Sequence, residues 1–373
     1  MANRITKVSA GFAVVVLTGG ISAASASQGA VTTSTSTAYV VNQTSNTVTP
    51  ISTTTSTAGM AITVGLVPDA IAITPGGGTA YIANFHSNDV TPIRTATNTA
   101  GKPIKVGVGP VALAVTPNGR TVYVANFNSN TVTPISTATN TAGRPIKVGA
   151  NPDAIAITPG GGTAYVANFG SNTVTPIRTA TNTAGRPVNV GSEPDAIAIT
   201  PSGATVYVAN SARFAGRPTV TPIRAATNTA GRSISVGLLP LAIAITPDSH
   251  TAYVLNDASQ EVTPIRTATN QALKPVLVGA LPDAIAITPG GGTAYVANFG
   301  SGTVTPISTA TNTAGKAIAV GAGPIALAIT PNGRTAYVAN ANSGTVTPIS
   351  TATNTAGKAI TVGQLPNAIA ITP

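Results

Sequence analysis

Short runs of alternating small and branched apolar residues recur along the chain, and turn-forming Gly, Pro, Asn and Thr residues separate them. In one representative unit these runs span residues 153–158, 163–168, 173–178 and 186–191, and we name them runs a, b, c and d. A period of two between like positions predicts β-strands. The 3.6-residue period of an amphipathic helix is absent, so we predict an all-β protein.

A single repeat fills most of the chain. Each copy has one tyrosine in run b, and successive tyrosines are 42 residues apart except for one interval of 46 residues. The eight are Tyr39, Tyr81, Tyr123, Tyr165, Tyr207, Tyr253, Tyr295 and Tyr337. Four short strands in about 42 residues are typical of a β-propeller blade. We therefore predict a propeller of four-stranded antiparallel blades, with run a at the central axis and run d at the rim.

The order of the runs predicts how the ring closes. The repeats begin at the b run of Tyr39 and end at an a run, residues 367–372. We expect this last run to supply the inner strand of the first blade, a 3+1 closure that leaves no open sheet edge. This gives eight blades within residues 37–373, and a seven-bladed ring with one repeat displaced is the alternative. Every c run contains a proline, which cannot donate to a ladder, so we predict interrupted pairing between c and d.

The repeated residues also resemble a known family. Tyr-Val-Ala-Asn at 165–168 is followed by Asn-Thr-Val, Thr-Ala-Thr-Asn, Val-Gly and Ala-Ile-Thr-Pro segments, a pattern similar to the YVTN β-propeller repeat. That family includes YncE-like and surface-layer proteins, and the resemblance covers residues 37–373. It implies a propeller but little about activity, because propellers host many functions. Run c ends in Arg or Ser, as at Arg94 and Arg178, where the family usually has an acidic residue, so we expect no contact made by that acid.

Residues 1–26 have the features of a secretory signal peptide. Arg4 and Lys7 precede an apolar stretch at 11–21, and Ala-Ser-Ala at 24–26 fits a cleavage site. An uncleaved N-terminal anchor is the alternative, and residues 27–36 are a short linker. No later segment has 18 uninterrupted apolar residues, and the chain has no Cys. We therefore predict a secreted or cell-envelope-associated monomer without a transmembrane segment after signal removal.

The charge of the chain is low but biased. Charged residues make up 8%, and without Arg4 and Lys7 there are 17 basic residues against 9 acidic ones. Many of the basic residues lie at or near the start of run d, on the predicted rim: Lys102, Lys105, Arg144, Lys147, Arg186, Arg232, Lys274, Lys316 and Lys358. A positive belt of this kind favours anionic polymers, with an affinity that falls as salt rises.

The first candidate binding site is an insertion. The loop between runs b and c is four residues longer between Asn210 and Val220 than in the other repeats, and it contains Arg213, Phe214 and Arg217. Insertions in repeat proteins often lie on the binding face. Two arginines beside an aromatic ring suit an anion, a phosphate or a sugar. The alternative is a tolerated surface insertion without a function.

The second candidate is the start of run a. Four blades carry an aspartate there, and the equivalent residue near the C-terminus is Asn367; the aspartates are Asp69, Asp153, Asp195 and Asp283. Oxygen atoms converging at the mouth of the channel would suit a hard cation. The alternative is local, since Asp after Pro stabilises a turn. We predict no resident metal or cofactor.

The sequence favours binding over catalysis. There are only two histidines, His86 and His250, in loops predicted to lie on opposite faces, and no nucleophile–base pair is visible. We predict an exported, non-catalytic interaction or cell-surface module whose partner is an envelope polymer or another surface protein. The alternatives are a lactonase-like propeller enzyme and a YncE-like binder of nucleic acid or another polyanion, although export makes nucleic acid an uncommon partner.

Overall fold

The structure, a computed structural model, describes residues 36–214 and 216–373. All regular secondary structure in these residues is β-strand, and the strands form eight antiparallel sheets. The predicted signal peptide, residues 1–26, and all but the last residue of the predicted linker lie outside the described residues. Among the residues described, no helix has the length and apolar character needed to cross a membrane.

Each sheet is one blade, and the blades are numbered 1 to 8 along the chain. The inner strands of blades 2 to 8, followed by that of blade 1, are Pro68–Ile73, Pro110–Val115, Pro152–Ile157, Pro194–Ile199, Pro240–Ile245, Pro282–Ile287, Pro324–Ile329 and Pro366–Ile371. The second strands of blades 1 to 8 are Thr37–Asn42, Thr79–Asn84, Thr121–Asn126, Thr163–Asn168, Thr205–Asn210, Thr251–Asn256, Thr293–Asn298 and Thr335–Asn340. The third strands are Thr47–Ser52, Asp89–Arg94, Thr131–Ser136, Thr173–Arg178, Thr219–Arg224, Glu261–Arg266, Thr303–Ser308 and Thr345–Ser350.

The outer strand of every blade consists of two halves of two residues. The first halves are Thr57–Ala58, Thr99–Ala100, Thr141–Ala142, Thr183–Ala184, Thr229–Ala230, Gln271–Ala272, Thr313–Ala314 and Thr355–Ala356. The second halves are Ile62–Thr63, Ile104–Lys105, Ile146–Lys147, Val188–Asn189, Ile234–Ser235, Val276–Leu277, Ile318–Ala319 and Ile360–Thr361. Both halves pair with the same third strand, so each blade has four strands in space.

The break in the outer strand lies opposite the proline of the third strand, as predicted. In blade 1, Ile51 pairs with Ala58 and Val48 with Ile62, and the ladder omits Pro50. One bond remains there, because the amide of Gly59 donates to the Pro50 carbonyl oxygen at 2.8 Å. The predicted start of the outer strand was wrong. In blade 4 it begins at 183 rather than 186, because the hairpin continues directly after the turn.

The C-terminal strand closes the ring in the predicted 3+1 manner. Pro366–Ile371 pairs antiparallel with Thr37–Asn42, and contacts between neighbouring inner strands run through all eight blades and back to the first. The amide of Thr372 donates to the Thr37 carbonyl oxygen at 3.0 Å, and the amide of Thr37 donates to Thr372 Oγ1 at 2.9 Å. The propeller therefore has eight blades, and the seven-bladed alternative is wrong.

The repeat tyrosines connect each blade to the next. Their side chains are 0–1% exposed, and they pack in apolar clusters shared by adjacent blades, such as Tyr39 with Ile71 and Ile82. The Tyr39 hydroxyl donates to Asn98 Oδ1 in blade 2 at 2.5 Å, and six further tyrosines make the same bond at 2.5–2.6 Å. Burial raises the pKa of Tyr39 to about 12, so the hydroxyl stays a donor at physiological pH.

Candidate functional site

The loops of the propeller lie on two faces. The insertion face carries the loops from second to third strands, including residues 211–214 and 216–218, and those from outer strands to the next inner strand. Its loops hydrogen-bond across blades, as when the Val108 amide donates to Ser129 Oγ at 3.0 Å. The opposite surface carries the remaining turns. We call it the arginine face after its six exposed arginines, Arg94, Arg120, Arg178, Arg224, Arg266 and Arg334.

The insertion brings the two predicted binding sites together. Arg213 Nε and Nη2 donate to Asp195 Oδ2 at 3.2 and 3.0 Å, so an arginine of the loop pairs with an aspartate of an inner strand. The amide of Phe214 donates to the Glu193 carboxylate, at 3.3 Å to Oε1 and 3.2 Å to Oε2. Two acidic groups of the face therefore hold the insertion in place.

Buried charge dominates this contact. The Asp195 side chain is 4% exposed, and burial raises the pKa of its carboxyl above the ordinary value. The Arg213 charge and a hydrogen bond from Ser211 oppose that rise, while Glu193 adds to it. Because Arg213 neutralises an internal acid, its guanidinium is already engaged. Phe214, which is 82% exposed, and the exposed Arg217 are the parts of the insertion that face solvent.

The remaining inner-strand aspartates lie at a β-bulge. In blade 2, Pro68 pairs with Asn84 and Ala70 with the preceding residue, so Asp69 is the extra residue. Gln43 Nε2 and Asn367 Nδ2 donate to Asp69 Oδ1 at 2.9 and 3.1 Å. Side chains of neighbouring blades thus meet at this level. Asp153 and Asp283 occupy the equivalent bulges and are also buried.

These carboxylates do not form a metal cluster. Among the described residues, no group of three or more His, Asp or Glu side chains has an arrangement that could hold a metal ion. His86 lies on the insertion face and His250 on the arginine face, where His250 Nδ1 is 3.0 Å from Asp248 Oδ2. The two histidines therefore lie on opposite faces and cannot contribute to one site.

The charges are segregated between the faces and the rim. Eight of the nine acidic residues lie on the insertion face, and only Asp248 lies on the arginine face. A third set forms the rim: seven blades place an exposed Lys or Arg directly between the two halves of the outer strand. We call these residues the cationic belt: Lys102, Arg144, Arg186, Arg232, Lys274, Lys316 and Lys358.

A cleft accompanies the belt between blades 4 and 5. Its volume is about 460 Å³, and Arg186 lines it together with Pro187 and the turn residues Thr227, Asn228 and Thr229. The Thr227 and Thr229 hydroxyls bond each other at 2.7 Å, and Arg186 is the one charged side chain among the residues that line the cleft.

The fold is similar to that of several solved structures. Kuenenia stuttgartiensis hydrazine synthase is 26% identical with a TM-score of 0.64, and the match covers 76% of this chain and 96% of that one. The dihydro-heme d1 dehydrogenase NirN in complex with DHE is 14% identical, with a TM-score of 0.77 over 90% of this chain and 74% of its own. Apo AztD from Citrobacter koseri is 10% identical, with a TM-score of 0.69 over 90% of this chain and 97% of its own.

These neighbours have the β-propeller fold in common and differ in role. No protein-family model matches the sequence, and no curated protein matches it either. The structure shows an eight-bladed propeller. The likeness of its repeats to the YVTN repeat stays a prediction.

Two features were missed by the sequence reasoning. The asparagine that receives the hydroxyl of seven of the eight tyrosines follows the tyrosine by 59 residues, or by 63 across the insertion, and this constant spacing was a detectable signal. The charge segregation was visible within single third strands, which run from Asp89 to Arg94 and from Glu261 to Arg266. The charge segregation becomes evident only when the strand ends are assigned to faces.

Proposed function

We propose that this chain is an exported, non-catalytic binding module that attaches to an anionic polymer of the cell envelope through the cationic belt. The observation that carries the proposal is the recurrence of one exposed Lys or Arg at the same rim position in seven of eight blades. The features of a signal peptide in residues 1–26 support an extracytoplasmic location.

The spacing of the belt suits a linear polymer better than a small ligand. Each exposed cation contributes little on its own, because solvent and salt screen it. Cations repeated once per blade around a rigid rim allow a chain of anionic groups to contact several of them in succession. Linked weak contacts then add up, since later contacts form at a high effective concentration.

Affinity for purified cell envelopes tests the proposal. We would measure co-sedimentation of the protein across a salt series and compare it with a belt variant in which Lys102, Lys274, Lys316 and Lys358 are changed to Gln. Met60 occupies the equivalent position in blade 1, so the fold accepts an uncharged side chain there. At about 0.5 kcal/mol per contact, loss of four contacts would lower the affinity about 30-fold.

A matched variant separates the belt from net charge. Changing Arg94, Arg178, Arg224 and Arg266 to Ser removes the same four charges from the arginine face, and Ser52 shows that this position accepts serine. We expect this variant to bind envelopes as the parent does. Equal losses in both variants would show that binding follows total charge. No binding by the parent at low salt would refute the proposal, and preferential competition by an oligonucleotide would favour a nucleic-acid partner.

A further inference from the structure

The insertion face has an unusual concentration of exposed apolar side chains. Of the six large hydrophobic residues that are strongly exposed in the described part of the chain, four lie in loops of the insertion face, and Met60 and Leu277 lie on the rim. The four are Leu66, Val108, Phe214 and Leu238, between 50% and 82% exposed. Three of them are at the tips of loops that lead into inner strands, and we call Leu66, Val108 and Leu238 the apolar tips. Exposed apolar residues grouped on one surface indicate an interaction site.

The residues that follow two of these tips have a costly backbone conformation. Val67 and Leu239 have φ of 52° and 58°, in the left-handed region that β-branched and bulky residues rarely adopt. Blades 3 and 8 use Gly109 and Gly323 at the same turn, which is the residue expected there. Each aliphatic side chain costs about 1 kcal/mol relative to glycine. Leu281 and Leu365 have the same conformation in blades 7 and 1, with φ of 49° and 51°, but no exposed apolar residue precedes them. The strained turn is therefore common to several blades, and the apolar tips are what distinguishes these loops.

The opposite ends of the same strands carry opposite charges. Two third strands begin with an acid on the insertion face and end with an arginine on the arginine face: Asp89 to Arg94, and Glu261 to Arg266. The same division holds for the whole propeller, with eight acidic residues on one face and six exposed arginines on the other. Six of the eight acidic side chains are buried, and two of these six are paired with Lys105 and Arg213. Acidic residues still outnumber basic ones on the insertion face, so the two faces have net charges of opposite sign.

We infer that copies of this chain stack head to tail, with the insertion face of one propeller against the arginine face of the next. The apolar tips supply the surface removed from water, and the charges on the two faces set the orientation. A heterologous interface of this kind does not close on itself, so it produces open stacks. This inference replaces the monomer expected from the sequence, and it does not depend on binding of a polymer by the rim.

Pairing of two insertion faces is disfavoured by charge. Such a dimer would bring the two acidic sets together, and like charges across an interface cost free energy. Pairing of two arginine faces would likewise oppose six arginines to six. Head-to-tail contact is the arrangement that brings each acidic set against an arginine set.

Two variants with intact folds test the inference. The tip variant changes Leu66, Val108 and Leu238 to Ser, and Ser192 is the natural residue at the equivalent place in blade 5. The arginine variant changes Arg94, Arg178, Arg224 and Arg266 to Ser, as found naturally in four blades. Sedimentation velocity over a wide concentration range would be measured for the parent, for each variant and for their mixture. The Lys→Gln belt variant is the control.

The inference predicts complementation. The parent and the belt variant should show mass that rises with concentration beyond a dimer, and each face variant alone should be monomeric. An equimolar mixture of the two face variants should form a 1:1 complex and stop there, because each contributes one intact face. The melting temperatures of both variants should match that of the parent, which confirms that the fold is intact.

Three results would overturn the inference. A parent that is monomeric at every concentration shows that the faces do not associate. Self-association that survives in the arginine variant, with no further complex in the mixture, shows that two insertion faces pair. Loss of association in the belt variant as well would assign it to net charge. The envelope measurement is made at a protein concentration at which sedimentation velocity shows the parent to be monomeric, so stacking does not contribute to it and its failure affects only the belt.

Discussion

The link between the last blade and the first is the weakest of the tyrosine links, and one substitution should strengthen it. The Tyr337 hydroxyl reaches only Ser56 Oγ at 3.2 Å and the Thr53 carbonyl oxygen at 3.3 Å. The other seven tyrosines bond an asparagine Oδ1 at 2.5–2.6 Å. Ser56 has a φ of 52°, within the range of those asparagines, so Ser56→Asn should restore the common geometry.

The gain in the free energy of unfolding expected for Ser56→Asn has two parts. Asn tolerates the left-handed region better than Ser, which is worth about 0.5–1 kcal/mol. The new bond to Tyr337 adds about 1 kcal/mol, the usual net value of an intramolecular hydrogen bond. Unfolding entropy scales with size, so a total near 1.5–2 kcal/mol raises the melting temperature of a propeller this large by about 2–3 °C.

A double-mutant cycle separates the two parts. Urea unfolding would be measured for the parent, Ser56→Asn, Tyr337→Phe and the double variant. We expect the gain from asparagine to fall by about 1 kcal/mol when Tyr337 is Phe, because the phenol that donates the bond is gone. Ser56→Gly is the control, since it relieves the backbone without offering an acceptor. An equal gain in both Tyr337 backgrounds would refute the hydrogen-bonding role assigned to these tyrosines.

Further predictions concern closure, the insertion and the loops. Deleting 367–373 should lower the melting temperature by many degrees and increase association beyond that of the parent, because it removes most of the inner strand of blade 1. An unchanged melting temperature would contradict the closure. Arg213→Gln should cost about 3 kcal/mol at neutral pH, since it leaves Asp195 buried without its counter-charge. Burial raises the pKa of Asp195 in the folded state above its unfolded value. The free energy of unfolding of the Arg213→Gln variant should therefore be highest in acid and fall as pH rises through the folded-state pKa. Thermal melts from pH 4 to pH 8 would show this. Gly65→Ala should lower the urea midpoint, because its Cβ would lie 2.7 Å from the side chain of a buried asparagine, while Gly78→Ala, which faces open space, should not.

The strands were predictable because each repeat supplies the same local signals. Thr163–Asn168 and Thr173–Arg178 coincide with the predicted runs. Inner strands begin one residue earlier than predicted, at a proline such as Pro152, because its carbonyl and the bulge after it extend the pairing. The repeat count and the order of runs were enough to predict closure, since both ends of the chain belong to one blade.

The surface was less predictable than the strands. The sequence analysis assigned Arg213 and Asp195 to separate candidate sites. Their pairing depends on the path of the four-residue insertion across the face, and the other repeats have no equivalent insertion from which to predict it. The sequence suggested either a cation site or a local turn for the aspartates, and it did not suggest the hydrogen bond from Asn367 to Asp69 between neighbouring blades. Long-range pairs of this kind depend on the radius of the ring, and only the assembled propeller sets it.

The position of the two chain ends has a consequence for how the molecule unfolds. Thr37–Asn42 and Pro366–Ile371 are paired strands in the same blade, so no blade is terminal. An open array of repeats can fray from either end, because its last unit has only one neighbour. Here every blade packs against two neighbours, so opening the boundary between any two blades breaks the closed ring that all eight form. Partial unfolding is therefore expected to be rare, and hydrogen exchange in the second strands should report one common opening free energy around the ring.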